Sequence, residues 1–376
     1  MIKSYIKKII KKKRLTGACK SYCNLYKKII KQNNFKLSRI DSDVEKWLEK
    51  WNRYGIKINS LPYQIFSKYV GDDINIIPLE ICAGIVEPIL TPEIYVAYYT
   101  DKNSFDIIYN DFLRPKTLLR NINGIYYDEY YSPVTDIDNI IKYNINNFDK
   151  VILKPTKEAS GRGVQLFEKK SSFKYTNKTG DILDKNFLDK NYKNNFILQT
   201  AIKQSQFSSI FNESSLNTLR VVTYRSIKTG KINVINCIMR IGAKGNCIDN
   251  AHGGGMFVGV DSNGKLGKFV CNWLGETKTI FNNIDFEHND YFVPNFEEIC
   301  KFAVNVSEKI IHHNLIALDI ALNEENKPVL IESNLGGFSA WFFQFTNGSA
   351  FGEYTDEIME YCYNKYLLLR PETIIK

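Results

Sequence analysis

The segment LDIALNEENKPVLIESN, residues 318–334, is two short apolar runs around a polar turn, with Asp319 near one end and Glu332 and Asn334 near the other. Side chains alternate along a strand, so Glu332 and Asn334 share one face and Ile331 and Ser333 the other. Pairing Leu322 with Val329 across the turn NEENKP sets Asp319 opposite Glu332. Two carboxylates about 4 Å apart repel by roughly 4 kcal/mol at an effective dielectric of about 20, and facing like charges weaken a bare sheet. A cation between them reverses the sign. Two carboxylates and an amide oxygen are hard donors of the kind Mg²⁺ takes. On this reading Asp319→Asn or Glu332→Gln costs little stability, because each removes repulsion when metal is absent. The competing reading is a solvated hairpin with accidental acids.

A second stretch with chemical content is VILKPTKEASGRGVQLFEKK, residues 151–170. The β-branched run ends on Lys154 before Pro155, which places an ammonium at a strand end. Gly161 and Gly163 can take backbone angles that bring amides close to an anion. VQLF reads as another strand, so the unit is strand, glycine loop, strand. That order excludes a P-loop, which needs GxxxxGK[ST] opening a helix, and a Rossmann fingerprint, whose GxGxxG leads into a helix. Protein kinases place the glycine loop before the lysine; here it follows. A phosphate cradle at Lys154 stands against a plain tight turn.

Arg220 in SLNTLRVVTYR and Arg240 in NCIMRIG sit inside apolar strand patterns. Arginine is rarely buried unpaired. Each is either in a structural ion pair or presents its planar fork to phosphate or carboxylate oxygens. Glycines 253–255 in DNAHGGGMFVGVD can expose successive amides to an oxyanion, or form a flexible turn. No Ser/His/Asp or Cys/His arrangement supports nucleophilic catalysis. Of His252, His288, His312 and His313 only His252, beside the glycine loop, is a candidate, and a structural role competes.

These groups need a large scaffold. At 376 residues and 44% hydrophobic, with 23 Tyr and 23 Phe, the chain can bury a core and form two or more subdomains. Eight cysteines without a CxxC pair fit free thiols in a reducing cytosol better than a disulfide framework or a zinc knuckle. No apolar run is long enough to span a membrane. The net charge is +9, whereas residues 1–34 alone hold 11 Lys and Arg and no acid, so residues 35–376 carry −2. A nearly neutral body argues against a large nucleic-acid surface.

In the basic segment, Ile2, Tyr5, Ile6, Ile9 and Ile10 recur at helical spacing, as do Tyr22, Leu25, Tyr26, Ile29 and Ile30. Two amphipathic helices are expected, either packed on the protein or lying on anionic lipid. Residues 35–100 read as a small mixed domain, with DVEKWLEKW helical and EPILTPEIYVAYYT extended. Residues 101–150 read as a helix followed by a strand pair.

Taken together, DKN at 101–103, ILKPTKEASGRGV, ILQTAIKQ at 197–204, SLNTLRVVT, IDNAHGGGMFVGVD, and ALDIAL with PVLIESN resemble the ATP-grasp superfamily, most of all its sugar-transfer-associated branch. The resemblance covers residues 101–335. It implies an α/β (α+β) fold with two subdomains clamping ATP in a domain over 101–376, the nucleotide lid at about 145–205; the residues before it read by themselves as a basic helical extension (1–40) and a small domain (41–100). It further implies that Lys154 and, upstream, Lys102 meet the phosphates while Gly161, Arg162 and Gly163 close over them. The backbone of Gln199, Thr200, Ala201 and Ile202 would read adenine. Asp319, Glu332 and Asn334 match the Mg²⁺ ligands, and Arg220 and Arg240 would lie near the transferred phosphate and substrate. One departure is that Gln199–Phe207 lacks the acid that binds ribose in many members. The implied activity is a carboxylate–amine ligase acting through an acylphosphate on small, sugar-linked substrates for surface polysaccharide or capsule, in the cytoplasm or peripheral to the membrane's inner face. The alternatives are a kinase on the same scaffold and a non-catalytic nucleotide-binding scaffold.

Overall fold

The computed structural model describes residues 2–37, 40–54, 58–157, 161–245 and 253–368, with side chains from Arg14 to Leu367. The basic segment is one continuous helix, α1 (Ile2–Gln32), rather than two. From Leu15 its apolar stripe packs on the core, with Tyr26 and Ile29 fully buried and Leu15, Tyr22, Leu25 and Ile30 against them. Gly17 does not break it, because the packed face supplies what glycine lacks in helix propensity.

In α2 (Ser42–Asn52) Asp41 caps the first turn by accepting from Asp43 N and Val44 N. Val44, Trp47 and Trp51, at helical spacing, form its buried face. Pro62 opens α3 (Leu61–Val70), where its missing N–H is harmless. The run expected to be extended, residues 87–100, is instead helical over Glu87–Leu90, Glu93–Tyr95 and Val96–Thr100, and it continues the helical turns Leu79–Ile81 and Cys82–Val86. Its prolines, 88 and 92, fall where helices start, so they divide the run without making it extended. The described residues between 35 and 100 therefore form helices joined by turns and loops, with no strand among them.

Two antiparallel sheets follow. The first has six strands in the order β2 (Ile125–Tyr127), β1 (Thr117–Ile122), β6 (Phe196–Thr200), β3 (Lys150–Pro155), β4 (Gln165–Ser171), β5 (Lys174–Thr176). The expected strand pair is β1–β2, and strand, glycine loop, strand is β3–β4. Ile137, Ile141 and Leu188 cover one face of this sheet over Val151, Leu153, Phe167 and Leu198. The second has seven strands in the order β11 (Thr277–Lys278), β10 (Val270–Cys271), β9 (Met256–Gly259), β8 (Ile232–Ile241), β7 (Thr218–Arg225), β14 (Leu315–Leu322), β15 (Pro328–Asn334). A ribbon of β12 (Ile280–Phe281) and β13 (Ile284–Asp285) stands apart.

Alternation along the second sheet separates two cores. Val221, Met239, Leu318 and Ile320 pack with Ile299, Ala303 and Val306 of α4 (Phe296–Glu308). Val222, Tyr224, Ile238 and Ala317 pack on the opposite face with α1–α3, α5 (Ala340–Thr346) and α6 (Thr355–Leu368).

A Cβ added at Gly84 would meet Leu15 Cδ1 at 2.6 Å and Leu15 Cα at 3.4 Å, so α1 crosses this helix closely. Gly84→Val should cost about 1–3 kcal/mol through overpacking, read as a lower urea midpoint. An unchanged midpoint would mean that α1 does not pack there in solution.

Candidate active site

The hairpin β14–β15 places Asp319 opposite Glu332. The register reaches this pairing by a different route from the one expected. Leu322 pairs with Pro328 and Ile320 with Leu330, and a bulge at Ile331 then restores Asp319 to Glu332. A bulge puts two residues against one, so the turn is one residue shorter than counting from Leu322–Val329 requires.

Asp319 also pairs with Arg220 on β7, whose neighbour on β8 is Ile238, two residues from Arg240. Glu332, Asp319, Arg220 and Arg240 therefore share one sheet face. Arg220 grips Asp319 with both arms of its fork, Nε to Oδ1 at 2.8 Å and Nη2 to Oδ2 at 2.9 Å, and Arg240 Nη1 adds a bond to Oδ2 at 2.8 Å. Burial would raise the Asp319 carboxyl, but the two guanidiniums hold it down to about 2. Glu332 Oε1 accepts from Lys102 Nζ at 2.9 Å. Each carboxylate thus has a cation from the protein itself, which corrects the expectation that the pair stands repelling when metal is absent. Asn334 Nδ2 is buried without a hydrogen-bond partner, although its amide is near enough to Asp319 to help lower that carboxyl.

Lys154 lies next to the end of β3, one residue before Pro155, and is buried. Burial, and then the neighbouring Lys102 ammonium, lower its pKa to about 8, against an opposing pull from Glu332 and Asp106. Two lysines and Glu332 therefore gather at one point, where the first sheet meets the hairpin of the second. Lys102 N donates to Thr156 O at 3.3 Å, which ties the Lys102 turn to the end of β3.

One residue of this assembly escaped sequence reasoning. Arg120, in TLLRNI on β1, is fully buried. It donates to Asn103 O at 3.0 Å, to Asp128 O and to the Asp106 carboxylate, and lies 3.8 Å over the Tyr131 ring. Tyr131 Oη also donates to Asn103 O at 2.7 Å. Arg120 thereby clamps the turn that carries Lys102. The signal was an arginine inside an apolar strand, the one that picked out Arg220 and Arg240.

Gly161 and Gly163 adopt φ of 72° and 71°, and a Cβ at Gly163 would meet Pro155 Cγ at 2.8 Å. The loop consequently folds back on the residue after Lys154, with Arg162 exposed at its tip. Gln199 is buried in β6, donating to Thr117 Oγ1 at 3.1 Å. The amides of Thr200 and Ala201 donate to Lys116 O and Lys150 O. The chain then crosses at Ile202 to the second sheet, where Ser205 N donates to Leu322 O at 2.8 Å. Glycines 253–255 lead into β9 at the end of the sheet that holds Arg240, which pairs with Phe257. His252 lies outside the described residues. His288 is exposed against Asp285, while His312 and His313 stand with Tyr99. A cavity of about 800 Å³ lined by Asp73, Asn236, Asp261, Lys268, Asn347 and Ser349 touches none of the site residues.

The sequence model of the sugar-transfer-associated ATP-grasp family matches residues 93–359. No curated protein matches the chain. Among solved structures, D-cycloserine synthetase DcsG overlaps with a TM-score of 0.43 at 10% identity, over 73% of each chain. The D-alanyl-alanine synthetase A of Vibrio cholerae gives 0.40 at 14% identity, over 74% of this chain and 67% of that one. The ATP-grasp ligase PsnB, complexed with a phosphomimetic variant of its minimal precursor, Mg and ADP, gives 0.40 at 10% identity. The chain covers 72% of its own length in that overlap and spans 61% of the PsnB chain. At such similarity the overlaps carry no reading of substrate.

Because Asp319 neutralises two part-buried guanidiniums, Asp319→Asn should destabilise by about 3 kcal/mol, as breaking one side of a buried ion pair does. Glu332→Gln, at a more exposed pair, should cost about 1 kcal/mol or less. Urea titrations of both variants measure this, and equal midpoints would refute the clamp.

Proposed function

The chain belongs to the sugar-transfer-associated ATP-grasp family, and from that membership and the charges of its site we propose an ATP-dependent carboxylate–amine ligase. The observation that carries the reading is the meeting of Lys102 and Lys154 with the Asp319–Glu332 pair. Ammonium groups for phosphates stand beside carboxylates for a cation. A substrate carboxylate oxygen attacks the γ-phosphorus of ATP and ADP leaves, giving an acylphosphate. An amine nitrogen then attacks the acyl carbon, the amine gives up a proton, and phosphate departs with the former carboxylate oxygen. A C–N bond remains.

The chain's residues divide this work. Lys154 and Lys102 neutralise phosphate oxygens, and preorganised charge of this kind is where most phosphoryl-transfer catalysis resides. Gly161, Arg162 and Gly163 fold over the phosphates. Gln199 to Ile202 run beneath the base, and since the Thr200 and Ala201 amides are bonded within the first sheet, Ile202 is the residue left to face it. Arg220 and Arg240 hold Asp319 and stand close to the transferred phosphoryl group and the substrate carboxylate. Asp319, Glu332 and the amide oxygen of Asn334 are hard donors, with Asp319 opposite Glu332 and Asn334 two residues on along the same face, a set that suits Mg²⁺. Magnesium bound there would neutralise charge on the polyphosphate. The substrates are small molecules, one of them sugar-linked, on the way to a surface polysaccharide such as a capsule and drawing on cytoplasmic ATP. Support for the sugar link comes from the family's description alone.

Lys154→Ala should lower turnover by about 10² or more, the scale for losing one preorganised charge stabiliser, and Lys154→Arg should rescue poorly. With ¹⁸O in the substrate carboxylate, label should appear in released phosphate. Phosphate retained on the organic product would indicate the kinase instead, and no turnover with any carboxylate and amine would favour the scaffold.

A second test uses the lowered Lys154. Polyphosphate charge favours its ammonium and should raise a pKa now near 8 toward the ordinary 10.5. ATP binding should therefore take up protons between those pH values and none well below pH 8. Calorimetry in buffers of different ionisation enthalpy detects the uptake, and Lys154→Met should remove it.

A further inference from the structure

We propose that the protein docks on an anionic lipid surface, using the basic N-terminal part of α1 together with an apolar face made by Ile94, Tyr95, Tyr98 and Ile311. The proposal is independent of the ligase reading. Helix α1 has 31 residues, about 46 Å at about 1.5 Å per residue. Among residues with described side chains, its packing on the core begins at Leu15. Upstream, residues 2–13 carry Lys3, Lys7, Lys8, Lys11, Lys12 and Lys13 and no acid, with Ile2, Tyr5, Ile6, Ile9 and Ile10 at helical spacing.

The second observation is separate from α1. The segment Glu93–Thr100 presents Ile94 at 81%, Tyr98 at 60% and Tyr95 at 39% exposure, and Ile311 at 68%. Tyr95 stacks on His312 at 3.8 Å, which brings Ile311 alongside. Single exposed apolar residues need no explanation, whereas a contiguous group marks an interaction site. Arg14 Nη1 lies 3.6 Å from Glu93 Oε2. The apolar face therefore begins where the basic stretch of α1 ends.

Charge and chemistry select the occupant. Residues 1–34 carry 11 positive charges against −2 on the remainder, a one-signed end that an anionic leaflet attracts. Isoleucine with tyrosine suits the headgroup boundary, where an apolar ring body is buried and the hydroxyl stays wet. Among the described residues no single helix is long and apolar enough to cross a membrane. One bent pair, Leu79–Leu90 with Glu93–Thr100, passes by length and composition. Its first limb is buried in the core, so the second limb lies on a surface and does not traverse it.

The test is co-sedimentation of the full chain with phosphatidylcholine vesicles with and without phosphatidylglycerol. Binding should require phosphatidylglycerol and weaken with salt. Each basic residue near such a surface is worth about 1 kcal/mol, so Lys7→Ala/Lys8→Ala/Lys11→Ala should weaken partitioning about 100-fold, at about 1.4 kcal/mol per decade. Ile94→Ser/Tyr98→Ser should weaken it about tenfold with the thermal midpoint unchanged. Failure to bind, equal binding to both vesicles, or wild-type binding by Ile94→Ser/Tyr98→Ser each overturns the proposal. A dimer that Ile94→Ser/Tyr98→Ser dissociates, without vesicle binding, would assign the face to a second copy of the chain.

Discussion

The grip of Arg220 and Arg240 on Asp319 is the interaction on which the second sheet and the site both depend. Asp319 is 3% exposed on β14, with β7 on one side and β15 on the other. Taking an ion from water into such a place costs several kcal/mol unless it is paired and its lone pairs are met. Three guanidinium bonds meet most of them. The same bonds leave the two facing carboxylates flanked by cations across the face: the guanidiniums, Asp319, Glu332, Lys102. A polyphosphate and its cation arriving at this row would exchange partners with groups already paired, without facing a bare cluster of one sign.

The first sheet meets that row at two points, the Lys102 turn clamped by Arg120 and the end of β3 at Lys154. Because Lys102 N is bonded to Thr156 O, the backbones that carry the two lysines are joined in one body. The crossing chain at Ile202 joins this body to the hairpin. The region matched by the family model begins at residue 93. The helices before it share a core with α5 and α6, so the part outside the match is packed as firmly as the part within it.

Much of the site was legible because it lies on strands, where alternation assigns faces. Asp319, Glu332, Arg220 and Arg240 follow that rule. What the pattern does not encode is the bulge at Ile331: the hairpin count reached the right pair with the wrong partners nearer the turn. Whether an arginine inside an apolar strand meets an acid of the protein or one of a ligand is likewise a matter of tertiary pairing. For Arg220 and Arg240 the partner is Asp319, 99 and 79 residues away in sequence. EPILTPEIYVAYYT misled because its aromatic residues suit strands and its prolines an extended chain, whereas tertiary packing of Leu90 and Tyr99 made it helical. The lengths of α1 and Arg120's role depend on packing partners distant in sequence.

The pairs that define the site close very long stretches of chain. Lys102 meets Glu332 across 230 residues, and Arg220 meets Asp319 across 99. Loop-closure entropy makes such pairings late in folding. During synthesis, Asp319, Glu332 and Asn334 leave the ribosome after nearly nine-tenths of the chain, so the first sheet can form while the carboxylate half of the site does not yet exist. A nascent or truncated chain would hold lysines without their acids. Assembly of the site therefore reports that the fold is complete.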